Sequence, residues 1–224
     1  MTRSGSPDPA PAEARTEVFE GVYGSFTITP ADRREVLAYR LSLISLALCL
    51  GGLLISWDLP SLEIRPWLWP AGMVISLGLA LNWIHIYLRP LHRLLQVFWL
   101  VGSMGMAALL VRSDAGELPA TLLDQRLWLL AVGPFFAALT GIGFKEFFCF
   151  RRPEAIGVTL LLPLALLGLL LGVLPPLASY RLMLIAAALL LVLGLRKLPM
   201  EAAADVGDKS VFAHLDGAAP GIAA

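Results

Sequence analysis

Six apolar stretches, each long enough or nearly long enough to cross a bilayer, constrain this chain more than anything else in it: residues 37–57, 67–88, 94–111, 127–144, 155–173 and 177–195. A spanning helix needs about 20 mostly apolar residues. A soluble domain of 224 residues has no interior large enough to hide six such stretches. Charged residues make up only 15% of the chain, and the mean hydropathy is +0.76. The reading is an all-α membrane protein, a six-transmembrane-helix bundle with a short cytosolic N-terminal segment.

Residues 1–17 are Pro- and Ala-rich and carry no apolar core of a cleavable signal. They read as a disordered tail, and 37–57 as the first insertion signal. The transmembrane domain takes 18–200, and the Ala/Gly/Asp-rich segment 201–224 reads as a second disordered tail. Cys49 and Cys149 fall at different depths, so they are expected as small buried hydrophobes rather than a disulfide.

Basic residues set the orientation. The segments before the first span, between spans two and three, between four and five, and after six hold thirteen: Arg3, Arg15, Arg33, Arg34, Arg40, Arg89, Arg93, Lys145, Arg151, Arg152, Arg196, Lys197 and Lys209. The other loops hold Arg65, Arg112, Arg126 and Arg181. The excess places both termini in the cytoplasm. Trp57, Trp67, Trp69, Trp128 and Tyr180 then mark the outer boundary, and Tyr39 and Tyr87 the inner one. Pro175-Pro176 reads as a tight outer turn, because prolines remove donors and disfavour helix before them. One long kinked or re-entrant element over 155–195 is the alternative, and it would move the C-terminus outside.

Residues 19–28 alternate loosely and suit a short extended segment over the inner face of the bundle. Thr29-Pro30-Ala31-Asp32 reads as a helix start, with Thr29 as cap and Asp32 as the reciprocal acid. Small residues four apart (Gly72, Ser76, Ala80; Gly133, Ala137, Gly141; Gly168, Gly172) suit close helix packing. No internal repeat marks an inverted-repeat transporter.

Two polar groups at membrane depth are the candidate sites. Asn82, His85 and Arg89 are three and four apart, so a continuing helix puts them on one face, with Arg93 beyond if the helix survives Pro90. They suit a ligand or pH-sensitive pocket open to the cytosol, or simply a satisfied histidine with snorkelling arginines. The second group is Lys145 and Glu146 in an aromatic stretch, followed by Arg151 and Arg152. Adjacent residues point about 100° apart on a helix, so each should pair with another segment. Asp32 or Glu35 are the expected partners of Lys145, and Arg33, Arg34, Arg89 or Arg93 those of Glu146. The bland form is a salt-bridge network locking the N-terminal helix to the bundle. The functional form is an anion or lipid-headgroup site built on Arg89, Arg93, Arg151 and Arg152.

No catalytic motif is recognisable. There is no HExxH and no glycine-rich phosphate loop with Lys. Gly102-Ser103-Met104-Gly105 has no histidine following it in the membrane. Ser42, Ser45, Ser103 and Thr140 are lone hydroxyls that would bond their own helix backbone. No metal or cofactor is expected, and a net charge of zero points away from nucleic acid.

The strings GSFTITPADRREVLAYR at 24–40 and FKEFFCFRRPEA at 144–155 resemble an uncharacterised integral-membrane family of cyanobacteria and plastids, domain-of-unknown-function family 2301. The resemblance covers about 18–200. It implies an oxygenic phototroph and a thylakoid or plasma membrane, and supplies no activity. Two readings follow: a non-enzymatic scaffold or assembly factor with a membrane-protein partner, or a small transporter or anion- or lipid-headgroup-binding protein.

Overall fold

The computed structural model describes residues 18–59, 67–113, 117–215 and 217. In chain order the elements are β1 (Val18–Gly21), β2 (Gly24–Thr27), α1 (Pro30–Asp58), α2 (Leu68–Trp83), α3 (Arg89–Arg112), α4 (Leu118–Asp124), α5 (Trp128–Phe150), α6 (Pro153–Leu170), α7 (Pro176–Lys197), α8 (Ala202–Val206) and α9 (Lys209–Leu215). The N-terminal tail at 1–17 lies outside the described residues.

Helices α1, α3, α5, α6 and α7 are long and apolar enough to cross a membrane. Their apolar residues also face outward, as at Leu41, Leu48 and Ile55 on α1 and Leu160, Leu164 and Leu167 on α6. A helix apolar on every side belongs in lipid or deep in a core. The second stretch departs from the expected 67–88. Helix α2 has 16 residues, about 24 Å at 1.5 Å per residue, short of a hydrocarbon core about 30 Å thick. It stops where Ile84 turns extended, with φ −73° and ψ 131°. A helix continued through Pro90 would set the proline ring against the carbonyl of residue 86.

Six helices form a closed circuit: α1 packs on α2, α2 on α3, α3 on α5, α5 on α6, α6 on α7, and α7 back on α1. Leu43, Leu46 and Leu50 of α1, Met73 and Leu77 of α2, Phe135 and Leu139 of α5 and Leu162 of α6 fill the centre. The α1–α2 seam holds the small row: Gly72 lies against Cys49, and the Ser76 hydroxyl donates to that of Ser45 at 2.8 Å. The Gly102-Ser103-Met104-Gly105 string serves a close crossing. A Cβ at Gly102 would overlap the backbone of Phe135, and one at Gly105 the carbonyl of Ala131. Residues 155–195 form two helices rather than one kinked element. Gly172 is left-handed at φ 71°, and the Leu174 N–H closes the turn onto the Gly168 carbonyl at 2.9 Å. Cys149 is exposed, which corrects the expectation of two buried thiols.

The chain's two terminal segments meet at one end of the bundle, the hairpin end. β1 and β2 pair antiparallel with Val18 opposite Thr27. Thr29 caps α1: its hydroxyl accepts the Asp32 N–H, and the Asp32 carboxylate accepts the Thr29 N–H at 2.7 Å. A second small core joins Phe26, Ile28 and Val36 to Val206 of α8. Residues 202–206 and 209–215 are therefore folded helices, where a disordered tail is expected from composition. Alanine is the strongest helix former, and Val206 supplies an apolar anchor.

Candidate functional site

Where α1, α5, α7 and α8 converge at the hairpin end, five charged side chains are gathered away from solvent. Glu146 near the end of α5 and Lys197 at the last residue of α7 are both 0% exposed. Arg40, about three turns into α1, and Asp205 on α8 are each 5% exposed. Lys197 Nζ donates to Glu146 Oε2 and to Asp205 Oδ1, each at 2.5 Å. The other Glu146 oxygen accepts the Tyr39 hydroxyl at 2.6 Å and Lys145 Nζ at 3.1 Å. Asp205 Oδ2 accepts Arg40 Nε at 2.8 Å. The two lysine heads also sit on aromatic faces, with Lys197 Nζ 4.0 Å from the Phe150 centroid and Lys145 Nζ 5.4 Å from that of Tyr39.

Charges this deep persist only when paired and hydrogen-bonded. Here both carboxylates are fully engaged. Arg40 does a second job: it donates to the carbonyls of Met200 at 2.7 Å and Glu201 at 3.1 Å. Carbonyls beyond a helix end need donors, and Arg40 supplies them, fixing the path from α7 into α8. The expected partners are corrected accordingly. Lys145 reaches its own neighbour Glu146, because a long lysine stem bends across the roughly 100° between adjacent residues. Glu146 pairs with Lys197 rather than with an arginine, and Asp32 pairs with Lys209 at 3.1 Å. Tyr39 is 2% exposed, and its hydroxyl is taken up by this network.

The other predicted residues do not assemble into a pocket. Asn82 ends on an exposed face of α2, and Arg89 and Arg93 are exposed on α3. Because α2 stops at Trp83, the shared face with His85 is lost. His85 is half-buried beneath α9, its ring edge-on to Phe212 at 6.2 Å. Burial is the main influence on its imidazole and holds the pKa below the ordinary value, outweighing the carboxylates of Glu35, Asp32 and Asp205; Lys145 adds to the lowering. Tyr87 packs against Phe212 with tilted rings 4.7 Å apart and accepts the Asp208 N–H. Arg151 adopts the left-handed conformation that ends α5, with φ 50°, and stays exposed. Arg152 points to Met200, 2.9 Å from its sulfur.

Sequence reasoning missed Lys197 and Asp205. Lysine after an apolar stretch reads as an interface anchor, and a lone Asp in an alanine run reads as tail. The signal was the unmatched Glu146, a carboxylate at membrane depth that required a cation from some other helix end.

Asp208 fastens the remainder. Its carboxylate accepts the Val22 N–H at 2.7 Å and the Ser210 hydroxyl at 2.6 Å. Burial opposes its ionisation, but these hydrogen bonds keep its pKa below the usual carboxylate value. Tyr23 lies flat on His214 with centroids 3.9 Å apart.

A family model described as uncharacterised integral membrane protein, DUF2301, matches residues 79–214, more than half of the chain. The match takes in the string at 144–155 but not that at 24–40, and it runs through α8 and most of α9. No curated protein and no solved structure matches.

Proposed function

The chain belongs to the DUF2301 family of integral membrane proteins, and from that premise we propose that it is a non-enzymatic scaffold or assembly factor within its membrane. The carrying observation is the Arg40–Asp205–Lys197–Glu146 network. It packs the hairpin end of the bundle with paired side chains, and it fastens the terminal segments there. Such a structure favours a rigid body that presents surfaces over one that moves a solute. The excess of basic residues on the loops of the hairpin end supports a cytoplasmic location for that end. The resemblance of 24–40 and 144–155 supports a photosynthetic or plasma membrane.

The test is a pull-down of the tagged full chain in mild detergent from its native membrane, beside a His85→Ala variant. The reading expects a stoichiometric membrane-protein partner retained by both. A protein that always purifies alone overturns it. The second reading, a carrier or anion-binding protein, draws on the half-buried His85. It expects loss of a bound small molecule in the same variant.

A further inference from the structure

The opposite end of the bundle, the far end, carries a cleft that the charge network does not reach. It has a volume of about 410 Å³ and lies among the ends of α1, α5, α6 and α7, roofed by α4. That size falls within the range of about 300–1,000 Å³ for small-molecule sites. Its walls are apolar, including Leu122, Val132, Phe136 and Leu169. Such a lining cannot compensate a hydrated ion. Leu129, Phe136 and Leu166 also line a second apolar cleft of about 380 Å³ between α3, α5 and α6.

The rim is polar and specific. Ser179 lines the cleft and is 3% exposed, and its hydroxyl has no hydrogen-bond partner among the described residues. Trp57 lines it too, and its indole N–H is likewise buried without a partner among those residues. A buried donor left unmatched is costly, so two donors beside one cleft call for an acceptor. Beside them stands Asp58, whose carboxylate accepts the Tyr180 hydroxyl at 2.5 Å. A carboxylate at the rim disfavours a phosphate or a second carboxylate there.

We propose that this cleft binds a neutral long-chain amphiphile head-first, with a carbonyl oxygen accepting from Ser179 and Trp57 and the chain lying between α5, α6 and α7. An ester-headed lipid and a prenyl-type quinone share that chemistry. The inference stands independently of the scaffold reading.

Native mass spectrometry of the detergent-released full chain tests it, with dioleoylglycerol, decyl-benzoquinone and dioleoylphosphatidate as probes. We expect one copy of a carbonyl-headed neutral probe to bind, and whichever of the two binds more tightly identifies the source. Ser179→Ala and Trp57→Phe each remove one donor and keep the packing. Each should weaken binding about fivefold, the value of one hydrogen bond near 1 kcal/mol. Leu169→Trp fills the cleft and should abolish binding. Phosphatidate should bind more weakly than dioleoylglycerol and gain in Asp58→Asn. Equal binding of the neutral probes to wild type and to both donor variants overturns the proposal. So does phosphatidate binding as tightly as dioleoylglycerol, or no binding of either neutral probe.

Discussion

The two ends of this bundle solve the same problem in opposite ways. At the hairpin end, charges are buried and every carboxylate of the central network has its cations; Glu154 beside it pairs one oxygen with Arg196 and leaves Oε1 buried without a partner among the described residues. At the far end, the buried groups are mostly apolar, yet the Ser179 hydroxyl and the Trp57 N–H lack partners among the described residues. The first end is closed by its own chain: α8 and α9 return onto the hairpin and onto α1. At the second, among the described residues, the seven-residue α4 stands over an apolar cleft. Buried polarity matched from within makes a seal, and buried polarity left unmatched beside a cavity makes a place for a ligand.

The comparison can be broken most severely at Glu146. Glu146→Gln leaves Lys197 and Lys145 without their shared anion, and breaking a buried pair costs about 3–5 kcal/mol. Thermal unfolding in detergent should show that loss, or the variant should fail to accumulate. The pairing account is sharpened by Glu146→Leu combined with Lys197→Met. Asp205 keeps Arg40 in that double variant, but Lys145 and the Tyr39 hydroxyl still lose Glu146, so part of the stability should return. If the double variant is as unstable as the two single losses added together, the charges are not acting as a pair.

A smaller effect is expected where α9 covers His85. Phe212→Ala should cost about 1 kcal/mol, in the ordinary range for a half-buried contact, and should speed hydrogen exchange over 209–215. Acid gives a related test. His85 has a lowered pKa in the fold, so the unfolded chain binds its proton first as pH falls. Stability is therefore unaffected by this group above about 6.5 and declines as pH drops below it. The decline should be absent in His85→Phe. The smallest effect belongs to the far end: Tyr180→Phe removes an exposed hydrogen bond to Asp58 and should cost no more than about 1 kcal/mol, leaving the hairpin end unchanged.

Much of the bundle was legible from chain chemistry. Five of the six apolar stretches coincide with membrane-length helices, Thr29-Pro30-Ala31-Asp32 with the start of α1, and Pro175-Pro176 with the break between α6 and α7. The candidate site was legible only by half. Glu146 and Lys145 stood out as charges among aromatics, but nothing local to them names Lys197, 51 residues on, or Asp205. A partner at long range is chosen by packing, which spacing does not encode. Asn82, His85 and Arg89 were grouped on the assumption of a continuous helix, and the proline at 90 ends that continuity. The 202–215 segment was hidden for a different reason: its composition is that of a tail, and its order comes from Arg40, Val22 and Phe26, all near the other terminus.

Hydrogen exchange of the full chain in lipid nanodiscs, read over residues 198–215 in wild type and Glu146→Gln, tests the sealed end most directly. The account predicts slow exchange there in the wild type, comparable to the hairpin at 18–27, and joint loss of protection in both segments in the variant. Exchange of 198–215 at the rate of an unstructured chain in the wild type would contradict it.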